Sequence, residues 1–446
     1  MTTSPVSPAT HSVGYYRWRI CAVLFLATTV NYIDRNVLSF TMLDPLFRHH
    51  MLGLAPNVPL SEADLIRYKE LMGYVDAAFK IAYGLGFLLI GWLIDRIGAR
   101  KGFGFSISLW SIAGMGHGLV GSVMGLAGAR FALGVGEAGN FPSAIKAVAE
   151  WFPRKERSFA TGLFNAGSNV GIILTAVCVP WIIAEFGWRT GFFITGALGV
   201  FVLAAWLSVY RRPEEHPSLT PAELAYIRQD GVTVSEAPVK WRILVPFRAT
   251  WAFAIGKFLT DAVWWFYLTW LPSFFNENPA FTMKLDLKQV GIPFLVIYLV
   301  SDFGSIFFGW LASRFIGLGW SVNRARKTTL LICALCVVPI FFAAMTSSIY
   351  VAIALIALAT AAHQGWSANL FTTASDLFPR RAVASVVGIG GMMGAIGGAL
   401  LAASAGWIIG HVGYFPLFAI ASSAYLIALA VIQLLAPRLD PVQLPD

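Results

Sequence analysis

The sequence predicts an all-α membrane protein with twelve transmembrane helices in two six-helix, pseudo-symmetric halves. Three observations predict it. The chain is 57% hydrophobic and only 12% charged, against about 25% charged for a soluble domain, and its mean hydropathy is +0.69. Apolar segments recur six times on each side of a polar central stretch, each near the roughly 20 residues a spanning helix needs. Motifs of the first half also return in the second at a nearly constant offset. This pattern excludes a disordered chain, a disulfide-stapled secreted scaffold and a large soluble catalytic domain.

Residues 1–17 form a polar N-terminal tail. The stretch from Trp18 is too long for a signal-peptide core and runs into a charged motif, so it is the first spanning helix. Apolar segments at about 70–94, 103–122, 125–149, 158–183 and 189–210 complete a first bundle over 18–210. The central loop, 211–247, contains Thr220-Pro221-Ala222-Glu223, with an N-cap, a proline at the first helical position and an acid two further on; it predicts a short capped helix. The second bundle, 248–436, holds apolar segments at 248–275, 289–312, 329–346, 350–376, 384–410 and 413–436, and 437–446 form a tail.

Charge sets the expected topology. The net charge of +9 would suggest nucleic acid in a soluble protein. Here, with both termini placed in the cytoplasm, 21 of the 32 Lys and Arg fall on cytoplasmic segments and six on outer loops. The positive-inside rule accounts for that excess. The expected location is a membrane, crossed many times, with the lipid bilayer rather than nucleic acid as surroundings. The four cysteines lie in apolar stretches, so neither a disulfide framework nor a Cys333–Cys336 site is expected.

The repeat supports two halves. Phe152-Pro153-Arg154 returns as Phe378-Pro379-Arg380; at the same offset Glu150 matches Asp376, Gly162 matches Gly388 and Gly171 matches Gly397. Gly91-Trp92-Leu93 returns as Gly309-Trp310-Leu311. Parallel repeats about the membrane normal are a secondary-transporter layout, with substrate bound between the halves near mid-membrane.

Charged residues inside spanning segments are costly and mark function. Asn31, Asp34, Arg35 and Leu38 share one helix face. Arg130 and Glu137 share another, two turns apart. Arg suits bidentate carboxylate recognition, and a desolvated Glu137 is a candidate proton carrier. The competing reading makes Asp34 with Arg35, and Arg130 with Glu137, static ion pairs. Asp76 and Lys80, and Lys257 and Asp261, are spaced i, i+4 on their helices. Four cations (Arg35, Lys80, Arg130, Lys257) then face four acids (Asp34, Asp76, Glu137, Asp261). Protonating one acid leaves a single positive excess that a monoanion neutralises. Trp264, Trp265, Tyr267 and Trp366 are placed to stack on a sugar ring, and Gln364 and Asn369 to bond its hydroxyls. Trp270 is expected as an interfacial anchor. His117, Lys146 and Asp302 are read as packing residues, and no role is assigned to Asp76, Asp261 or His363. Asp95, Arg96 and Arg100 sit in the turn Gly91-Trp-Leu-Ile-Asp-Arg-Ile-Gly98-Ala-Arg100-Lys101, where they would latch neighbouring helix ends as gating residues.

That turn resembles the signature loop of the major facilitator superfamily. Tyr32-Ile-Asp34-Arg35-Asn36, Gly134-Val-Gly-Glu137-Ala and Glu150-Trp-Phe-Pro-Arg154 resemble its anion:cation symporter branch. In the second half, Gly256-Lys257 through Trp270-Leu-Pro272 and His363-Gln364-Gly-Trp366-Ser-Ala-Asn369 resemble bacterial hexuronate transporters. The resemblance implies proton-coupled uptake of a sugar acid such as glucuronate or galacturonate by alternating access. Tyr32, Arg35 and Arg130 would then serve the substrate, and Asp34 and Glu137 would carry protons. Aldonate-carrying relatives have aromatic residues where this chain has Asp76 and Lys80. Symport of an aldonate or an aromatic carboxylate is the first alternative, and a transporter-fold sensor the second. The chain is not expected to be an enzyme, to hold a cofactor or a metal, or to need a second copy: a working monomer is expected. No nucleotide-binding loop is present in the sequence.

Overall fold

The computed structural model describes residues 14–229, 241–282, 285, 289, 291–378 and 380–444. In chain order its helices are α1 (Tyr16–Thr41), α2 (Pro45–Leu52), α3 (Glu62–Gly116), α4 (Val123–Glu137), α5 (Asn140–Trp151), α6 (Arg154–Phe186), α7 (Trp188–Val209), α8 (Pro221–Ile227), α9 (Trp241–Leu244), α10 (Arg248–Glu277), α11 (Gly291–Gly317), α12 (Val322–Val337), α13 (Ile349–Leu377), α14 (Arg380–His411) and α15 (Phe415–Leu435).

Among the described residues, eight helical stretches are long and apolar enough to cross a membrane. Four further segments lie beside them: α1, the second arm of α3, the α4–α5 pair, and α10. Three of them, α1, α4–α5 and α10, carry charges that depress their hydropathy: Asp34 and Arg35, Arg130 and Glu137, and Lys257 and Asp261. All four lie where the apolar pattern predicts the remaining crossings. The two arms of α3 meet at Gly98, where φ is +81° and ψ 161°. Only glycine adopts that conformation readily, so the signature turn folds back without a loop.

Both termini sit at one end, called here the terminal end. Arg17, at the start of α1, pairs with Glu156 of α6 at 2.8 Å and with Glu223 of α8 at 3.2 Å. Leu439 N–H donates to Asn323 Oδ1 at 3.1 Å, and Val442 N–H to the Leu377 carbonyl at 2.7 Å. The capped helix expected in the central loop is α8, with Thr220 Oγ1 accepting from Glu223 N–H at 3.2 Å. Residues 230–240 of that loop lie outside the described residues.

The repeat is visible in the packing. Gly171 of α6 lies against the Thr29 carbonyl of α1, and its echo Gly397 of α14 lies against the Phe258 carbonyl of α10. Small residues permit this backbone contact in membranes. The halves also meet along α3 and α14. A Cβ at Gly73 would sit 2.7 Å from the Ala402 carbonyl oxygen, and Gly406 abuts the Lys69 carbonyl. One apolar cluster merges α10–α15 with the opposite ends of α1, α3 and α6, through Phe40, Phe47, Met72, Ile172 and Phe294. A second keeps to the first half near the terminal end, through Leu24, Phe103, Trp110, Trp151 and Phe164. The molecule is therefore sealed across its two halves at the end opposite the termini.

Candidate functional site

The helical period brings first-half charges together inside the bundle. Arg35 Nε donates to Glu137 Oε2 at 2.7 Å; the side chains are 5% and 0% exposed. Arg35 Nη2 lies 3.4 Å from Asn31 Oδ1. The guanidinium is enclosed by rings, 4.4 Å from the Tyr32 centroid, 4.7 Å from Tyr83, 5.3 Å from Trp265 and 5.7 Å from Phe79. Such stacking on a desolvated Arg is worth about 2 kcal/mol. Neither ion pair suggested by sequence neighbours forms. Arg35 reaches across to α4 instead of turning to Asp34, because i and i+1 side chains on a helix diverge by about 100°.

Asp34 is 3% exposed, and neither carboxylate oxygen has a hydrogen-bond partner among the described residues. It faces Gly114 of α3, whose Cβ position lies 3.6 Å from Oδ1. Arg130 does not pair with Glu137 either. Its Nη1 donates to the Arg35 carbonyl at 3.1 Å, its guanidinium lies 4.6 Å from the Phe79 centroid, and its Nε is buried without a partner. Arg130 is thus the cation in this cluster with no carboxylate bound among the described residues. Glu137 Oε1 is likewise unpartnered.

Lys80 pairs with Asp76 one turn away, both almost fully buried. Its Nζ lies 5.4 Å from the Trp265 centroid. Lys257 Nζ pairs with Asp261 at 2.8 Å and lies 4.5 Å from the Phe371 centroid. Trp265 comes from the second half yet contacts Phe79 and Tyr83 of the first. It packs against both apolar clusters and so joins the halves at the charged centre.

The other second-half candidates lie apart from this cluster. Trp366 is fully buried against Tyr425 at 5.4 Å. Asn369 Nδ2 donates to the Gly365 carbonyl at 2.8 Å and its Oδ1 accepts from Arg326 at 3.3 Å, so its amide is held within its own half. Gln364 is half-buried on α13. His363 stacks on Trp264 at 4.6 Å and 5°, and its Nδ1 bonds the Tyr425 hydroxyl. Trp270, expected as an interfacial anchor, is 1% exposed: the core rather than the interface takes it.

In the signature turn, the Asp95 side chain lies outside the described residues. Arg96 is exposed. Arg100 Nη2 donates to the Leu207 carbonyl at 2.7 Å, and Trp206 Nε1 to the Arg100 carbonyl at 3.0 Å, which fastens the turn to the C-terminus of α7. His117 stacks on Phe192, and Lys146 Nζ donates to the Ile94 carbonyl at 3.1 Å, both within the first half. Asp302, expected only to pack, accepts from Asn169 across the two halves. Tyr83 and Phe79 were not among the sequence candidates. Their signal was spacing: 76, 79, 80 and 83 form one stripe of the second segment.

Buried acids and cations of the first helical bundle, capped by Trp265 from the second, fit the class of membrane transporters. Residues 24–402 match the family model described as Major Facilitator Superfamily, and the chain belongs to that family; it is not an enzyme. It is 32% identical over 412 residues, 91% of this chain and 90% of the relative, to the "Hexuronate transporter" of Escherichia coli (strain K12). It is 30% identical over 322 residues, 70% of this chain and 87% of the relative, to the "Galacturonate transporter" of Dickeya chrysanthemi. The solved structure titled "Crystal structure of D-xylose-proton symporter" shares the fold at a TM-score of 0.72 and 17% identity, covering 96% of this chain and all of that one (100%).

Proposed function

We propose that the protein imports a sugar acid, a hexuronate such as glucuronate or galacturonate, together with protons, by alternating access. The observation that carries this reading is the buried Arg35–Glu137 pair, roofed by Tyr32, Tyr83 and Trp265, beside an Arg130 with no carboxylate bound among the described residues. Two relatives that cover most of their length with this chain are named for hexuronate and galacturonate.

Glu137 occupies Arg35 while the site is empty of substrate. Protonating Glu137 removes its charge and weakens its hold on Arg35. The substrate carboxylate then takes the guanidinium, and Arg130 supplies the remaining positive charge. The carboxylate and the proton thus enter together because each makes room for the other. Asp34, buried without a hydrogen-bond partner among the described residues, is a second proton carrier. Tyr32, Lys80 and Trp265 form the walls against the sugar ring, and Lys257 lies on the facing bundle; Gln364, Trp366 and Asn369 shape that bundle's contribution. Asp95, Arg96 and Arg100 gate the terminal end. That end faces the cytoplasm of a bacterium, the inner membrane is the site, and one chain is the functional unit. The domain limits remain 18–210 and 248–436 around the loop 211–247.

The test is uptake into proteoliposomes under an imposed pH gradient, with a panel of labelled hexuronates and aldonates. Gradient-driven accumulation of D-glucuronate or D-galacturonate is expected. Accumulation of aldonates alone would move the substrate, and accumulation without regard to the gradient would sink proton coupling.

A further inference from the structure

At the end opposite the termini a cavity of about 430 Å³ is lined by Arg48, Leu65, Lys69, Asn276 and Glu277. Arg48 comes from α2, Lys69 from α3 and Glu277 from the last residue of α10. The two cations thus belong to the first half and the carboxylate to the second. Arg48 Nη2 pairs with Glu277 Oε1, and Lys69 Nζ lies 3.3 Å from Oε2. Oε2 completes no hydrogen bond. The three side chains are 14%, 20% and 17% exposed, so part of each borders solvent while Oε2 itself is covered. The other carboxylates nearby are committed elsewhere. Asp44 Oδ1 accepts from Leu46 N–H at 3.1 Å and caps α2. Glu70 lies 3.7 Å from His411. The cavity therefore holds two cations, one acid and an amide, with one positive charge in excess.

We propose that this cavity is an entry site for a carboxylate anion, and that Glu277 is its built-in occupant. An arriving carboxylate takes Arg48 and Lys69 from Glu277, and in doing so unties the two halves at that end. The exchange swaps one carboxylate for another on the same cations, so the charge contacts are conserved and a neutral sugar cannot drive it. It places ahead of the Arg35–Glu137 exchange a second exchange of the same kind. The inference rests on the organic-anion reading of the central site.

The experiment compares Arg48→Gln, Lys69→Gln and Glu277→Gln in the full-length chain. One readout is the KM for D-glucuronate uptake by intact cells. The other is the distance between spin labels on cysteines at Val58 and Val412, 43% and 60% exposed at that end, with the native cysteines replaced. All three variants should lengthen the resting distance, because each breaks the tie. In the unaltered protein D-glucuronate should lengthen it and glucose should not. The KM values should split: about 3–10-fold higher for either lost cation, and lower than normal for Glu277→Gln, which removes the competitor. A merely structural tie would move all three KM values in one direction, and that result overturns the inference. So does an unchanged distance in every variant. If the unaltered protein takes up no D-glucuronate, the transport reading falls and this inference falls with it; a normal uptake with unsplit KM values removes the inference alone.

Discussion

Replacing Arg35 by Lys keeps the charge and removes the fork. In the structure the guanidinium makes a 2.7 Å bond to Glu137 through Nε, reaches Asn31 through Nη2, and lies over the rings of Tyr32 and Tyr83. A lysine ammonium can replace one contact as a point charge, but not two parallel bonds to a carboxylate. The loss is one charge-assisted hydrogen bond in a desolvated site, about 1.5–3 kcal/mol, or about 10–150-fold in affinity. The ring contacts add little to the difference, since an ammonium also interacts with aromatic faces. The assay is equilibrium binding of D-glucuronate and of glucose, its uncharged counterpart, to purified Arg35→Lys. The variant should lose most of the preference for the acid over the sugar. If it binds D-glucuronate as the unaltered protein does, Arg35 only neutralises Glu137, and Arg130 becomes the better anchor for the anion.

Glu137→Gln should retain exchange of substrate between two loaded compartments and lose accumulation driven by a pH gradient, since an amide keeps the shape and cannot carry the proton. Asp34→Asn tests the same role on α1: if it alone uncouples, the carrier is Asp34. Gly171→Leu should sharply lower the amount of folded protein, because a Cβ there would lie 2.8 Å from the Tyr32 Cβ and closer still to the Thr29 carbonyl; normal yield and a normal melting temperature would contradict that packing. Arg17→Ala leaves Glu223 buried without its cation, a loss of about 3 kcal/mol or more locally. Limited proteolysis should then cut the 211–229 segment faster than in the unaltered protein, with the rest of the chain unchanged.

Much of this architecture is legible in the residues because a membrane leaves few options. Backbone groups in lipid must bond within a helix, so length and apolarity alone place most of the crossings. The i, i+4 pairs were legible for the same reason: Asp76–Lys80 and Lys257–Asp261 lie on single helices whose period is fixed. What periodicity does not contain is how one helix is turned toward another. Arg35 has acids at hand on its own helix and on α4, and only the rotation of α1 against α4 selects Glu137. The same limit hid Glu277. It lies at the end of a segment where an acid reads as an ordinary loop charge, and its partners Arg48 and Lys69 are 229 and 208 residues earlier. Asp302 read as a lone packing group because Asn169, 133 residues away, carries no charge to advertise the pair.

The seam of α3 against α14 has a mechanical consequence. At Gly73 and Gly406 one backbone rests directly on another. Ridged helices must climb out of each other's grooves when they slide, and each jump resets several side chains. A seam of bare backbone has few teeth to disengage. Under the alternating access proposed above, it would work as a plain bearing rather than a geared one, on which the bundles could roll while staying in touch. The stops of such a motion would then lie elsewhere, at the rims. A bearing of this kind also tolerates little wear, for a single methyl group at Gly406 fills its clearance.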